Sequence, residues 1–427
     1  RAPIGGGDPT NPAVGPVLEG NDRVYSDPIL AAASNTAIFE VLRVGEPREL
    51  WSKTFAGDLR LLREVDNFTR YEIVPPGQVL VHLEDGDLKE IALATGVERT
   101  LEDLATPIED FIVSGDGSML VLETDGGNTF TLPIAGGTPT DLGTSRDPLL
   151  LSPDGSWALL DDLSNDFLLV STDGLVTREL VDLGSGLQFT EDSSYLIYRA
   201  FFSPNQLRSY EISTETITRL DEGIARPSGF NGVEWWNAGG SDVVFTFTGS
   251  FSIGRNLYRI GADGGGLQTA LGTPEDGFDL REIRVSPDGR HAVFEVLNPD
   301  NFSLSDLYLT SITQGRSSIL LDDADEAVFL GFTPDLSLAL YQNQRPAYSS
   351  PLMAAPTNGT PPFALTPADF GDVQPGLEFS PDSQTVTFRV QRHNERIELH
   401  ALDLDDFIIF SDGFESGDVS AWGGVVP

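Results

Sequence analysis

Short runs of alternating apolar and polar residues recur along the whole chain. Examples are SWALLDD (156–162), HAVFEVL (291–297) and TVTFRVQ (385–391), and most runs are followed by a second one, such as LRSYEI (207–212) or NLYRIG (256–261). A period of two puts alternate side chains on one face of an extended strand, so each run predicts a β-strand. No long segment has the period of an amphipathic helix, and the chain is therefore predicted to be almost entirely β.

A turn-forming cluster precedes each of these runs. Nine such turns lie at 34–35, 76–77, 114–117, 152–155, 190–193, 239–242, 286–289, 333–336 and 380–383. Spacing is 38 residues between Ser114, Ser152 and Thr190, and 47 between Ser286, Thr333 and Ser380. Two of them, 152–155 and 286–289, read Ser-Pro-Asp-Gly, in which Pro presets φ and Asp and Gly suit the later turn positions.

A repeat of this length with about four strands per unit is typical of a β-propeller, in which sheets stack around an axis and bury each other's faces. The predicted fold class is all-β, a single β-propeller with eight or nine four-stranded blades. We expect an extended N-terminal arm over 1–27, rich in Gly and Pro, then the propeller over 28–410 and a C-terminal tail over 411–427.

The segments LSPDGSWALL (151–160), VSPDGRHAVFEV (285–296) and FSPDSQTVTFRV (379–390) resemble the WD-like propeller repeat of the TolB family. The same repeat occurs in the propellers of prolyl-oligopeptidase-like peptidases. This resemblance covers about 28–410 and implies a propeller fold, while propellers host many functions. The first two units lack Ser-Pro-Asp, and the sixth has a Gly-rich insertion around Trp235 and Trp236.

The C-terminal segment IIFSDGFESGDVSAWGG (408–424) differs from the repeats. It resembles a short terminal signature, F-x-D-G-F-E-S-G-D-x-S-x-W, of secreted bacterial proteins. Two interpretations stay open: a last strand with a Trp-anchored tail that packs on the propeller, or a sorting or attachment segment.

Composition adds expectations about location and partners. There is no Cys, only two Met, and residue 1 is Arg, so we expect a secreted chain whose signal peptide has been removed. No apolar run approaches the length that spans a bilayer, and membrane insertion is not expected. With 26 basic against 66 acidic residues the net charge is −40, which disfavours nucleic acid as a partner.

No catalytic motif stands out. The chain has no Gly-x-Ser-x-Gly elbow, and its four His are isolated in sequence. A glycosidase needs two paired carboxylates, and sequence cannot select a pair among 66 acids. We therefore expect that the protein is not an enzyme and has no catalytic residue. We also expect no cofactor; the alternative is Ca²⁺ bound by Asp-rich turns such as 84–87.

Three functional hypotheses remain. The leading one is a non-catalytic extracellular structural or interaction protein that self-associates, its arm adding a strand to a neighbour's blade and so building filaments. The second is a propeller that binds a glycan, peptide or protein at its central mouth. The third is a propeller hydrolase or lyase with an acidic or Arg-lined axial pocket. The candidate interaction residues are Val14, Val17, Leu18, Trp235, Trp236, Tyr341, Tyr348 and Trp422.

Overall fold

A computed structural model of the chain describes residues 13–14, 23–24, 29–31, 36–42, 48–54, 59–65, 70–75, 77–102, 106–144, 147–161, 167–180, 183–200, 206–224, 230–249, 257–271, 279–298, 301–312, 319–322, 327–343, 351–367, 372–373, 377–379, 383–391 and 397–404. All regular elements in these residues are strands, and none of the described segments is a helix that could cross a bilayer.

The strands of the first three sheets are β1 (Ala13–Val14), β2 (Arg23–Val24), β3 (Ile29–Ala31), β4 (Thr36–Leu42), β5 (Arg48–Thr54), β6 (Leu59–Val65), β7 (Arg70–Val74), β8 (Val79–Glu84), β9 (Asp87–Ala92), β10 (Val97–Glu102), β11 (Ile108–Val113), β12 (Met119–Thr124), β13 (Asn128–Pro133) and β14 (Thr140–Thr144). The next three sheets contain β15 (Asp147–Leu151), β16 (Trp157–Asp161), β17 (Phe167–Ser171), β18 (Thr177–Leu180), β19 (Ser185–Phe189), β20 (Tyr195–Ala200), β21 (Gln206–Glu211), β22 (Thr216–Arg219), β23 (Phe230–Asn237), β24 (Asp242–Gly249), β25 (Leu257–Gly261) and β26 (Gln268–Leu271). The remaining strands are β27 (Asp279–Val285), β28 (His291–Asn298), β29 (Asn301–Ser311), β30 (Ile319–Asp322), β31 (Ala327–Phe332), β32 (Leu338–Asn343), β33 (Leu352–Pro356), β34 (Phe363–Ala364), β35 (Asp372–Val373), β36 (Glu378–Phe379), β37 (Thr385–Gln391) and β38 (Ile397–Asp403).

These strands form nine antiparallel sheets within the described part of the chain, which we number as blades 1 to 9 in chain order. Blade 1 contains β2 to β6, and each of blades 2 to 8 is a meander of four successive strands, from β7–β10 to β31–β34. Blade 9 contains β35 to β38 together with β1. The predicted all-β propeller is confirmed.

The first strand of each blade lies nearest the axis. Strand β11 contacts both β7 and β15, and β15 contacts β19, so first strands meet from blade to blade. Strand β3 of blade 1 contacts β36 of blade 9, which brings the two ends of the array together. The blades therefore form one closed ring around a central channel.

The N-terminal residues complete the last blade. In β1, Ala13 pairs with Ala401 and Val14 with His400, so β1 is the outer strand of blade 9. Strand β2 pairs with β4 in blade 1. Residues 13–14 and 23–24, within the segment that we expected to be an arm, are thus strands of the ring. One end of the chain leaves a sheet edge open, and the other end fills it. The tail over 411–427 lies outside the described residues.

The hydrophobic core lies between the blades. One cluster joins Val81 and Leu83 of blade 2 to Phe111 and Leu120 of blade 3, and all four are fully buried. Equivalent clusters join blade 5 to 6, 6 to 7 and 8 to 9. Each sheet is covered on both faces by its neighbours, which explains why the middle strands are rich in apolar residues on both faces.

The repeated turn joins the first and second strands of a blade. In blade 4 the Ser152 hydroxyl donates to Asp154 Oδ1 at 2.7 Å and accepts the backbone N–H of Trp157 at 2.9 Å. The same Asp154 oxygen accepts the N–H of Ser156 at 3.0 Å. One hydroxyl and one carboxylate therefore satisfy the backbone N–H groups of Ser156 and Trp157, and Ser152 is fully buried.

This hydrogen-bond pattern recurs around the ring. A Ser or Thr contacts an Asp two residues later in the turns headed by Ser114, Thr190 and Ser286. A further copy lies at 171–174, where the Ser171 hydroxyl donates to Asp173 at 2.6 Å. This turn is not one of the nine that were predicted from the sequence. That copy joins the third and fourth strands of blade 4, so the device belongs to the hairpin and is not tied to one place in the blade.

We expect Ser152→Ala to lower the free energy of unfolding by about 1–3 kcal/mol, because the half-buried Trp157 loses the acceptor for its backbone N–H. Urea denaturation followed by circular dichroism measures the change. Ser213→Ala is the matched control, since Ser213 is exposed and its hydroxyl only donates to the Glu211 carboxylate. Equal midpoints for the two variants would show that the turn hydroxyl contributes nothing.

The turn aspartates predict a pH dependence. Partial burial alone would raise the pKa of Asp154, but hydrogen bonds from Ser152 and Ser156 outweigh burial and hold the pKa below its ordinary value. The folded state therefore binds fewer protons at this site, and the stabilisation is present above the unfolded pKa of about 4 and is lost as pH falls further. The difference in urea midpoint between the wild type and Asp154→Asn should be largest above about pH 5 and shrink towards about pH 3. A constant difference across this range contradicts the prediction.

Candidate functional site in the axial channel

A β-bulge interrupts the first strand of six blades. In β27, Arg281 pairs with Glu295 and Ile283 with Phe294, so Glu282 has no residue opposite. Similar register shifts occur in β11, β15, β19, β23 and β31. Bulges redirect side chains, and they are frequent next to functional sites.

The bulges place exposed residues on the strands nearest the axis. Glu109, Leu149, Gly186 and Glu282 lie at bulges in four different blades, and all four are exposed. Glu282 has a φ of 26°, which non-Gly residues rarely adopt. Backbone strain of this kind marks positions that the surrounding structure holds in place.

The bulges were not predicted, although the sequence contains a signal for them. In β11 the inward apolar residues Ile108, Phe111 and Val113 are spaced by three and then by two. In β23 the residues Val233 and Trp235 follow Phe230 with the same spacing. One extra residue in an otherwise alternating strand is the mark of a bulge.

A cavity of about 730 Å³ opens where blades 5, 6 and 7 meet the channel, and we call it the channel cavity. Its lining comes from the first strands of these blades and from β20: Gly186, Leu187, Gln188, Arg199, Val233, Glu234, Trp235, Trp236, Glu282, Ile283 and Arg284. The structure thus places the two predicted interaction tryptophans at one site in the channel wall.

Trp235 and Trp236 point to opposite sides of blade 6. Trp235 packs into the core shared with blade 5, and Trp236 packs into the core shared with blade 7. The Trp235 ring also lies against Gly186. A Cβ added at Gly186 would be only 2.2 Å from Cη2 of the indole. Both tryptophans are half-buried, so they hold the blades together and still contribute to the cavity wall.

The cavity lining contains both hydrogen-bond donors and hydrogen-bond acceptors. Arg199 is half-buried and donates to the Ser185 hydroxyl, while Arg284 donates to the Ile283 carbonyl at 3.3 Å and lies 3.4 Å from the Glu282 carboxylate. Glu234 and Gln188 are exposed to the cavity from blades 6 and 5. The site therefore offers fixed groups of both kinds on rigid strands.

A second charged cluster lies between the first strands of blades 2 and 3. Arg70 contacts Asp110 at 2.6 Å and Glu72 at 3.6 Å, and its guanidinium lies 5.3 Å from the centre of the Phe111 ring. Burial raises the pKa of Glu72, the Arg70 charge opposes this, and Asp110 adds to it. The fold thus brings the Asp110 carboxylate to a guanidinium 40 residues away in sequence, beside the local carboxylate of Glu72.

Other predicted residues lie elsewhere. Tyr341 is 1% exposed and donates to the Leu321 carbonyl at 3.0 Å, so the structure places it in the core and not at a mouth of the ring. Val14 is described only through its backbone pairing in β1. Val17, Leu18, Tyr348 and Trp422 lie outside the described residues. Among the described side chains, no group of three or more acidic or His residues is arranged to hold a metal ion.

We expect Gly186→Ala to destabilise the fold and to shift Trp fluorescence. A side chain at a φ of 70° costs about 1 kcal/mol, and displacement of the indole adds about 1–3 kcal/mol. Gly223→Ala is the control, because Gly223 has a φ of 75° and nothing within 4 Å of its missing Cβ. If both variants lose the same stability and keep the wild-type emission, the contact between Gly186 and Trp235 is not tight.

Comparison with known proteins supports the fold. No family model matches the chain, and no curated protein is similar to it. A crystal structure of a eukaryotic initiation factor is similar, with 12% identity, 83% of this chain and 91% of that chain covered, and a TM-score of 0.59. Porphyromonas gingivalis dipeptidyl peptidase 4 matches with 9% identity, 87% and 64% coverage, and a TM-score of 0.55. At such low identity the likeness concerns the fold alone, and the chain is a multi-blade β-propeller.

Proposed function

We propose that the protein is a non-catalytic extracellular binding protein whose ligand enters the channel cavity. The observation that carries this proposal is the cavity itself, where two tryptophans and four ionisable side chains from three blades meet at the axis. Its volume of about 730 Å³ falls within the range of small-molecule sites. Concave sites with apolar walls and a few convergent polar groups are the usual binding sites of rigid folds.

The geometry of the wall supports a binding role. The lining residues lie on strands, which hold side chains more precisely than loops do. Arg199 and Arg284 are each held by a hydrogen bond, and Glu282 has a strained backbone at its bulge. The two hydrogen bonds restrain the arginines before a ligand arrives, which lowers the entropic cost of binding.

The extracellular and non-catalytic parts of the proposal rest on the sequence. The absence of Cys fits a secreted chain, and the sequence offers neither a Gly-x-Ser-x-Gly elbow nor a Cys nucleophile. A hydrolase or lyase is the second candidate, and one observation favours it. Glu72 and Asp110 lie beside the same guanidinium in the channel wall, and the raised pKa of Glu72 suits a proton donor.

Self-assembly into filaments is less well supported by the geometry. The strand Ala13–Val14, which contains the first candidate residue for strand addition, pairs with the last blade of its own ring. Assembly through this strand would require copies to exchange it, as in domain swapping. The channel cavity needs no such rearrangement, and we therefore place the binding function there.

The test fills the cavity. Gln188→Trp adds a bulky side chain at an exposed lining position, and Ile217→Trp adds the same group on the outer strand of the same blade, where Ile217 is 49% exposed. Wild-type protein is applied to a glycan array, to a peptide array and in pull-downs. We expect to find a binder whose affinity falls by at least about 10-fold in Gln188→Trp, which is a loss of about 1.4 kcal/mol of binding free energy. The affinity of Ile217→Trp should equal that of the wild type.

Two results would overturn the proposal. The first is the absence of any binder on both arrays and in the pull-downs. The second is a binder that Gln188→Trp retains at wild-type affinity, because its site would then lie outside the channel cavity.

A further inference from the structure

The chemistry of the channel cavity points to a neutral oligosaccharide as its ligand. This inference rests on the proposed function, since it names the class of ligand for the same site. Three independent features of the wall carry it: its charge balance, its mixture of hydrogen-bond donors and acceptors, and the bulges in its strands.

The first feature is charge. The cavity contains two arginines, Arg199 and Arg284, and two glutamates, Glu234 and Glu282. The whole chain has 26 basic and 66 acidic residues, so the cavity is balanced where the protein is strongly acidic. The overall charge of −40 repels anions, and cations are attracted to the entire surface with no preference for this site. A balanced cavity in such a protein therefore selects a ligand without net charge.

The second feature is the hydrogen-bonding pattern. Arg199 and Arg284 can only donate, Glu234 and Glu282 can only accept when ionised, and the Gln188 amide does both. A hydroxyl group donates one hydrogen bond and accepts others, so a chain of hydroxyls can pair with both kinds of group in turn. A ligand rich in hydroxyls matches this wall better than one that carries only acceptors.

Trp235 and Trp236 supply the apolar part of the site. Both residues are half-buried, each packs against a blade interface, and both line the cavity. Aromatic rings bury large apolar areas at little entropic cost because they have few rotatable bonds. The C–H faces of a pyranose ring can lie against such surfaces while its hydroxyls reach Gln188 and the charged groups.

The third feature argues against a peptide as the ligand. An extended peptide binds a sheet by adding a strand, which needs a regular row of free N–H and C=O groups along an edge. The first strands that border the cavity, β19, β23 and β27, are all interrupted by bulges. A bulge breaks the even spacing of the edge, so these strands are poor templates for strand addition.

The experiment compares matched ligands by isothermal titration calorimetry with the full chain. The neutral probes are cellohexaose, maltohexaose, mannohexaose, xylohexaose and chitohexaose, and the acidic probe is hexagalacturonate. We expect at least one neutral probe to bind, with a Kd that changes less than about 2-fold between about 50 and about 500 mM NaCl. Hexagalacturonate should bind at least about 10-fold more weakly, because of its charge.

Two variants test the contacts. Gln188→Ala removes a side chain that both donates and accepts hydrogen bonds. We expect it to lower the affinity for the neutral probe by about 5- to 10-fold. Glu234→Gln keeps an acceptor and removes the charge, and it should change the affinity by less than about 3-fold for a neutral ligand. Ile217→Trp, on the outer strand, is the control that should bind as the wild type does.

The outcomes separate this inference from the function on which it rests. If an acidic glycan or a peptide binds and Gln188→Trp blocks it, the cavity is a binding site but the neutral ligand class is wrong. If a neutral probe binds and Gln188→Trp does not block it, both ideas fail. If no neutral probe binds, the neutral ligand class is wrong, and the proposed function also fails only if the arrays and pull-downs give no binder. A salt-dependent Kd for the neutral probes also contradicts the inference.

Discussion

The hydrogen bond between a turn hydroxyl and the carboxylate two residues later is the interaction on which the ring depends. In blade 4 this pair, Ser152 and Asp154, satisfies the backbone groups of Ser156 and Trp157 and fixes where the second strand begins. A shift of one residue would turn every side chain to the opposite face. Because the blades bury both faces, the register set at this turn decides which residues enter each interface.

The turns also contact one another from blade to blade. The N–H of Asp116 donates to the Pro153 carbonyl at 2.8 Å, and the N–H of Asp154 donates to the Ser193 hydroxyl at 3.1 Å. In blade 9, Ser383 accepts the N–H of Asp335 in the same way, at 2.7 Å. Ser193 and Ser383 occupy a position with φ near 59°, where other turns have Gly. The strain of a side chain there is offset by the hydrogen bond that it makes to the preceding blade.

The fold could be predicted from local signals, whereas the site could be predicted only in part. The turn at Ser286 and the alternating strand after it identify a hairpin wherever they occur in a chain. Trp235 and Trp236 stood out because they break the repeat, and both line the channel cavity. Tyr341 looked equally suitable as a surface residue, but it is buried, because neighbouring blades cover both faces of the middle strand β32.

The sequence by itself determined the strands, the turns and the all-β repeat, since each depends on residues within a few positions of one another. The tertiary structure decided which distant residues meet. Arg70 and Asp110 form an ion pair because neighbouring blades place their first strands side by side. No local sequence pattern distinguishes Asp110 from the other acidic residues, of which the chain has 66 in all. The closing strand at Ala13–Val14 likewise acquires its role only from the ring, because a two-residue strand has no signature of its own and is held by the open edge that it fills.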